Sequence, residues 1–162
     1  MESGDLVFFH TTGLMGASIR FGQRKVKAFK GAAKWNHVGI LDEKSGDDWT
    51  VIQAEPRGVT KDKLLSQVAP GGSYEVVPFP AGLDRVKSIT YLRLQVSDRY
   101  SFLTIFSCVA DIILPDAICL RRNHSWICSG LAAASLMFAG FPASADWGDV
   151  YTVMPAELRE ML

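Results

Sequence analysis

The sequence predicts an α+β fold in which a small antiparallel sheet packs against helices. Three observations carry this. Short apolar runs at residues 6–9, 35–41 and 49–55 have strand length, and the last two flank a polar turn at 42–48 that contains Gly46. Two apolar strands joined by a turn cluster form an antiparallel hairpin. An apolar run that opens at Cys128 and closes before Gly140 and Pro142 has the length and end punctuation of a helix. Finally, 162 residues with 48% apolar and 21% charged side chains suffice for one hydrophobic core, and no linker or repeat divides them. A single domain over residues 1–162 is expected.

The elements follow in order. Leu6-Val7-Phe8-Phe9 reads as a buried strand and Gly13 breaks it. Leu14, Met15, Ala17, Ser18, Ile19 and Phe21 have helical spacing, weakened at Gly16 and Gly22 because glycine in a helix costs about 1 kcal/mol relative to alanine. The hairpin comes next, and Pro56 stops its second strand because proline cannot donate a ladder hydrogen bond. Residues 59–67 suggest a helical turn capped by Thr60, and Gly71-Gly72 a turn. Residues 74–79 read as a further strand, ended by Pro78 and Pro80. Residues 84–96 fit neither the helical nor the strand period. Residues 100–114 read as a buried helix, which Pro115 ends before a loop at 117–123. After the Cys128 helix, residues 150–153 suggest a last short strand, and 154–159 a helical turn with Pro155 near its start.

Charge and cysteine usage exclude several classes. Seventeen basic and seventeen acidic residues cancel, so no global field favours nucleic acid. A local basic run holds Arg20, Arg24, Lys25, Lys27, Lys30 and Lys34; it reads as a solvated helix face and loop, with a phosphate or lipid-headgroup patch as the alternative. Cys108, Cys119 and Cys128 form neither a disulfide framework nor a zinc pattern. Met1-Glu2-Ser3-Gly4-Asp5 shows no secretory signal, which points to cytoplasmic synthesis. The apolar stretch at 100–114 is short for a membrane span and carries Asp111, although membrane contact stays open.

The chemistry centres on Cys128. The first backbone N–H groups of a helix lack internal partners and the dipole there is positive, so a thiolate at that end is stabilised. Taken alone, Cys128 is more readily a packed core cysteine. A thiol nucleophile needs a base, and the base needs an orienting group. The candidate bases are His10, His37 and His124. His124 is near in sequence only, and His10 sits in a turn-like Thr11-Thr12-Gly13 setting. His37 opens a strand that can aim its ring, with small Gly39 next along its face, and Glu55 at the end of the paired strand could orient the imidazole.

The segments Gly4-Asp5-Leu6-Val7, Asn36-His37-Val38-Gly39-Ile40, Gln53-Ala54-Glu55 with Gly58-Val59, Trp126-Ile127-Cys128-Ser129 and Met154-Pro155-Ala156-Glu157-Leu158 occur in one order across nearly the whole chain. Together they resemble the circularly permuted NlpC/P60 group of papain-like cysteine hydrolases, which includes YiiX-like and lecithin–retinol-acyltransferase-like proteins. The resemblance implies Cys128 as nucleophile, His37 as general base and acid, and Glu55 as the third residue, with Gln53 as the alternative. Two positions depart from the pattern. Gly130 stands where the group commonly has an acidic residue, and the usual glutamate precedes the alanine, whereas here Gln53 does.

The expected reaction is acyl transfer through an acyl-enzyme on Cys128, without metal or organic cofactor. The first expectation is an amidase or peptidase acting on peptides, including peptidoglycan stems. A cell-wall substrate would then require delivery by a phage or a secretion system. The second is an acyl-lipid transferase or thioesterase, and the third a catalytically silent binding module.

Overall fold

The computed structural model describes residues 1–26, 29, 31–69, 73–113, 125–142 and 150–162. Its centre is a five-stranded antiparallel sheet built from β1 (Leu6–Phe9), β2 (His37–Ser45), β3 (Asp48–Glu55), β4 (Gly58–Leu64) and β5 (Tyr74–Val77), in the order β4-β3-β2-β1-β5. Helices α1 (Leu14–Lys25), α2 (Leu65–Val68), α3 (Arg85–Leu94), α4 (Phe102–Ile113), α5 (Cys128–Phe138) and α6 (Pro155–Glu160) surround it. A parallel pair, β6 (Arg99–Tyr100) and β7 (Ser125–Trp126), leads into α5. The α+β class predicted from the sequence is therefore the class observed. No helix among the described residues is long and apolar enough to cross a membrane.

Alternation sorts the sheet residues onto two faces. Leu6 and Phe8 join Val38, Ile40, Ile52 and Ala54 in the main core, together with Leu131, Ala132 and Leu136 of α5. Val7 and Phe9 point the other way, into a smaller cluster with Leu41, Val51 and Leu65. β1 is thus buried on both faces, which is why it reads as a continuous apolar run rather than an alternating one.

α5 is apolar on all sides, and every residue from Cys128 to Leu136 is buried. Such a helix belongs inside a fold. It packs on β2 and β3, with α3, α6 and a 3-10 turn at Val150–Thr152 around its other sides. Its C-terminus closes in a Schellman arrangement: Gly140 N–H donates to Met137 O at 3.0 Å and Phe141 N–H to Leu136 O at 2.9 Å. Gly140 takes φ of 102°, a conformation that glycine adopts without a Cβ penalty.

Several local expectations change. The first hairpin strand runs on to Ser45, so the turn is only Gly46-Asp47 and a register shift falls between Leu41 and Lys44. The helical turn expected at 59–67, capped by Thr60, is instead the edge strand β4, with Thr60 opposite Gln53; helix begins only at Leu65. Pairing with β3 overrides the polar Thr60-Lys61-Asp62-Lys63 composition, which suits an exposed edge. The ambiguous stretch at 84–96 is α3, capped by Asp84, whose carboxylate accepts from Lys87 N–H at 3.0 Å. Tyr100 belongs to β6, and the following helix starts at Phe102. The strand expected at 150–153 is the 3-10 turn packed on α5. The Gly71-Gly72 turn, the loop at 117–123, Cys119 and His124 lie outside the described residues, as do Lys27 and Lys30.

Candidate active site

Cys128 is the first residue of α5, and Ile127 before it has extended backbone. The helix end is pinned from both sides. Ser129 donates its hydroxyl to Val153 O at 2.6 Å, deep in the core. Trp126 stacks on Tyr151 with ring centroids 4.7 Å apart and donates Nε1–H to Asp98 at 2.9 Å. These contacts fix the thiol at the first turn, where free N–H groups and the helix dipole meet it.

His37 is the first residue of β2, the strand that α5 crosses. Leu41 lies opposite Val51, and opposite residues of an antiparallel pair share a face. Two-residue alternation then puts His37 and Gly39 on the same side as Gln53 and Glu55. The expected room at Gly39 is already occupied: a Cβ there would lie 2.5 Å from Val51 Cγ1. The ring of His37 packs 5.6 Å from that of Phe9, centroid to centroid.

The imidazole Nε2 and Gln53 Oε1 are 2.7 Å apart. An amide oxygen only accepts, so Nε2 carries the proton and Nδ1 is left for the thiol. Burial pushes the imidazole toward its neutral form. The charge of Cys128 and its hydrogen bond oppose this, helped by the Gln53 hydrogen bond and the charge of Glu55, and the ring ends above the ordinary histidine value. Burial likewise pushes the Cys128 thiol up. The charge and hydrogen bond of His37 oppose it, with the N–H groups of Val38 and Ser129 donating to the sulfur, and the thiol ends below its ordinary value. Both directions favour a thiolate–imidazolium pair.

The structure therefore brings Cys128, His37 and Gln53 together. Glu55 does not touch the ring: its carboxylate takes Lys63 Nζ at 2.6 Å and Arg57 at 2.9 Å. Burial raises the Glu55 carboxyl, but these two cations hold it below the usual range. Of the two residues expected as the third member, Gln53 makes the contact to His37, whereas Glu55 contributes a charge near the ring. His10 is exposed and its Nδ1 lies 3.1 Å from Lys34 O.

Two neighbours of the site escaped the sequence reading. Asn36 is buried and clamps the turn beside His37: its Oδ1 accepts from Thr11 N–H at 2.8 Å and its Nδ2 donates to Thr11 O at 2.9 Å. A polar residue directly before a strand histidine was the available signal. Tyr100 is tied through β6 to Trp126, and burial, then the charge of Cys128, holds its phenol well above the usual range.

A cleft of about 350 Å³ opens here, with His37, Gln53 and Glu55 on its sheet side and Leu14, Met15 and Tyr100 opposite. The sulfur is set back from it, with Cys128 only 3% exposed. Cys128 borders a small apolar hollow with Ile105, Ile127 and Met154, and Ile19 lines both that hollow and the cleft. Among the described residues, no three His, Cys, Asp or Glu side chains are grouped to hold a metal ion.

Gly130 also finds its reason. A Cβ at this position would lie 3.0 Å from Tyr151 O and 3.1 Å from Val150 O. An acidic side chain would meet two carbonyl oxygens in a closed space. No family model and no curated protein sequence matches the chain.

Proposed function

We propose that this chain is a thiol hydrolase of the circularly permuted NlpC/P60 type, working through an acyl-enzyme on Cys128. One observation carries the reading: a thiol at a helix N-terminus sits close enough to His37 for each to shift the other's ionisation, and Gln53 holds Nε2 of the ring at 2.7 Å. The order of elements agrees with it, since the base strand precedes the nucleophile helix. Gln53 stands before Ala54, where the group carries its glutamate.

The steps follow from the atoms. His37 Nδ1 takes the thiol proton and the thiolate attacks an amide or ester carbonyl. The oxyanion forms near the start of α5, where the Cys128 N–H can donate. His37 returns its proton to the departing amine or alcohol, leaving a thioester on Cys128. Water, deprotonated by His37, then cleaves the thioester and restores the thiol. Gln53 keeps the ring in the tautomer and orientation that this cycle needs.

Peptide amides are the first substrate class. Gln53, Glu55, Lys63 and Gln67 give the cleft a polar side suited to a peptide backbone and its charges. Acyl lipids are the second, favoured by Leu14, Met15 and Tyr100 on the opposite side.

The test compares Cys128 with Cys108, the two cysteines among the described residues. Cys108 and Cys128 are equally buried, each 3% exposed, so a difference in their alkylation reports ionisation rather than access. Iodoacetamide at neutral pH should label Cys128 at least about tenfold faster than Cys108, consistent with a thiolate favoured by more than about 1.4 kcal/mol. Equal rates would remove the nucleophile and leave a binding module. Amine release from peptidoglycan peptides, or fatty-acid release from lipids, either one lost in Cys128→Ala, identifies the substrate class.

A further inference from the structure

The charges of this neutral chain are not evenly spread. Residues 6–41 contain six Lys or Arg and no Asp or Glu, so the remainder holds 11 basic and 17 acidic residues. α1 lies inside the basic segment. Leu14, Ala17, Phe21 and Lys25 recur along it at helical spacing and form one exposed stripe. Leu14 is 91% and Phe21 54% exposed. Lys25 Nζ sits 5.1 Å from the Phe21 ring centroid. Arg24 and Lys25 are exposed and form no ion pair among the described residues.

α4 packs against α1, with Ile19 and Ile105 in their shared cluster. It adds an apolar face of its own: Phe102, Leu103 and Phe106 are 40%, 49% and 67% exposed. The two faces adjoin the cleft. Leu14 lines it, and Phe102 packs edge-on against Tyr100, which lines it too, at 4.9 Å between centroids.

Large apolar side chains in the open, flanked on α1 by cations without ion pairs among the described residues and by no acid within that helix, are the composition of a helix that lies in a membrane interface. A second copy fits poorly, because an isologous contact presents the same face again, and α1 carries no acid to pair Arg24 and Lys25. Nucleic acid would use the cations but not Leu14 or Phe106. We propose that the α1–α4 face docks on an anionic lipid bilayer. Phe21, Phe102, Leu103 and Phe106 enter the boundary between headgroups and acyl chains, Arg24 and Lys25 meet lipid phosphates, and the cleft mouth comes to rest at the membrane surface. This inference does not depend on the chemistry of the thiol.

The experiment uses the full chain carrying Cys128→Ala, so that turnover plays no part. Sedimentation is measured with phosphatidylcholine vesicles and with vesicles that also contain phosphatidylglycerol. Binding is expected to the anionic vesicles and to weaken as salt rises. Each cation near an anionic surface contributes about fivefold in partitioning, so Arg24→Gln with Lys25→Gln should weaken binding about 25-fold. Phe21→Ser with Phe106→Ser should weaken binding in both salt regimes. All four positions are exposed, and unchanged circular dichroism and melting confirm folding in each variant. The proposal is overturned by absence of binding, by equal binding to neutral vesicles, or by binding that the variants leave intact. It is also overturned if the same variants instead dissolve a dimer or abolish nucleic-acid binding.

Discussion

Replacing Gln53 by leucine tests the core of the site, because it removes one hydrogen bond and little else. Gln53 is 2% exposed and its Oε1 is 2.7 Å from His37 Nε2. Once the ring is protonated, that contact is a part-buried hydrogen bond to a charged group, worth about 1.5–3 kcal/mol. The leucine keeps the volume and supplies no acceptor, so the imidazolium loses that support while the neutral ring loses less. The thiolate–imidazolium pair should become rarer by about 10- to 150-fold. The assay is the second-order rate of Cys128 alkylation across pH, which needs no knowledge of the substrate. In the parent protein the thiolate should appear below the ordinary cysteine range, and the imidazolium should persist above the ordinary histidine range. These limits belong to the coupled pair rather than to either residue. Acyl-transfer activity should therefore be bell-shaped, rising as the thiol ionises and falling as the ring loses its proton. In Gln53→Leu the rising limb moves to higher pH and the falling limb to lower pH. Gln53→Glu restores an acceptor, adds negative charge and should extend the falling limb upward. Glu55→Gln should change the alkylation rate by less than about threefold, since Lys63 and Arg57 already hold that carboxylate at a partly exposed site. An unchanged profile in Gln53→Leu, with a collapsed one in Glu55→Gln, would overturn the assignment.

Three further outcomes are expected. Gly130→Ala should lower stability by about 1–2 kcal/mol in urea denaturation, because overpacking against Tyr151 O and Val150 O exceeds the gain of about 1 kcal/mol in helix propensity. Ser129→Ala should cost about 1–3 kcal/mol by leaving Val153 O without its 2.6 Å donor, and its Cys128 alkylation rate should fall as the helix end loosens. Asn36→Ala should slow Cys128 alkylation without changing Cys108, since it frees the Thr11 turn beside His37.

Much of this molecule is written in local pattern. β1, the hairpin and α5 declare themselves through apolar period and through punctuation by Pro56, Gly140 and Pro142. β4 does not, because an exposed edge strand needs little apolar content and takes its conformation from β3. The turn at Val150–Thr152 has β-branched composition but is shaped by packing on Gly130. The site divides in the same way. Cys128 and His37 are legible as positions, one opening a helix and the other a strand, although alone Cys128 reads as core. The choice between Gln53 and Glu55 is not, since both lie on one face of β3. Lys63, across the sheet on β4, draws the carboxylate away and leaves the amide to the ring.

The setting of Cys128 behind Ile19 bears on how long the protein stays usable. A thiolate with a depressed pKa is the form that peroxide converts to sulfenic acid, and further oxidation is irreversible. Here that thiolate is held in a hollow walled by Ile105, Ile127 and Met154, away from dissolved oxidants. Oxidation by dilute peroxide should therefore be slower in the resting protein than at an exposed thiolate, though still faster at Cys128 than at the equally buried Cys108. It should accelerate when a ligand in the cleft displaces the Ile19 side chain, so that the sulfur is spent only while it is in use.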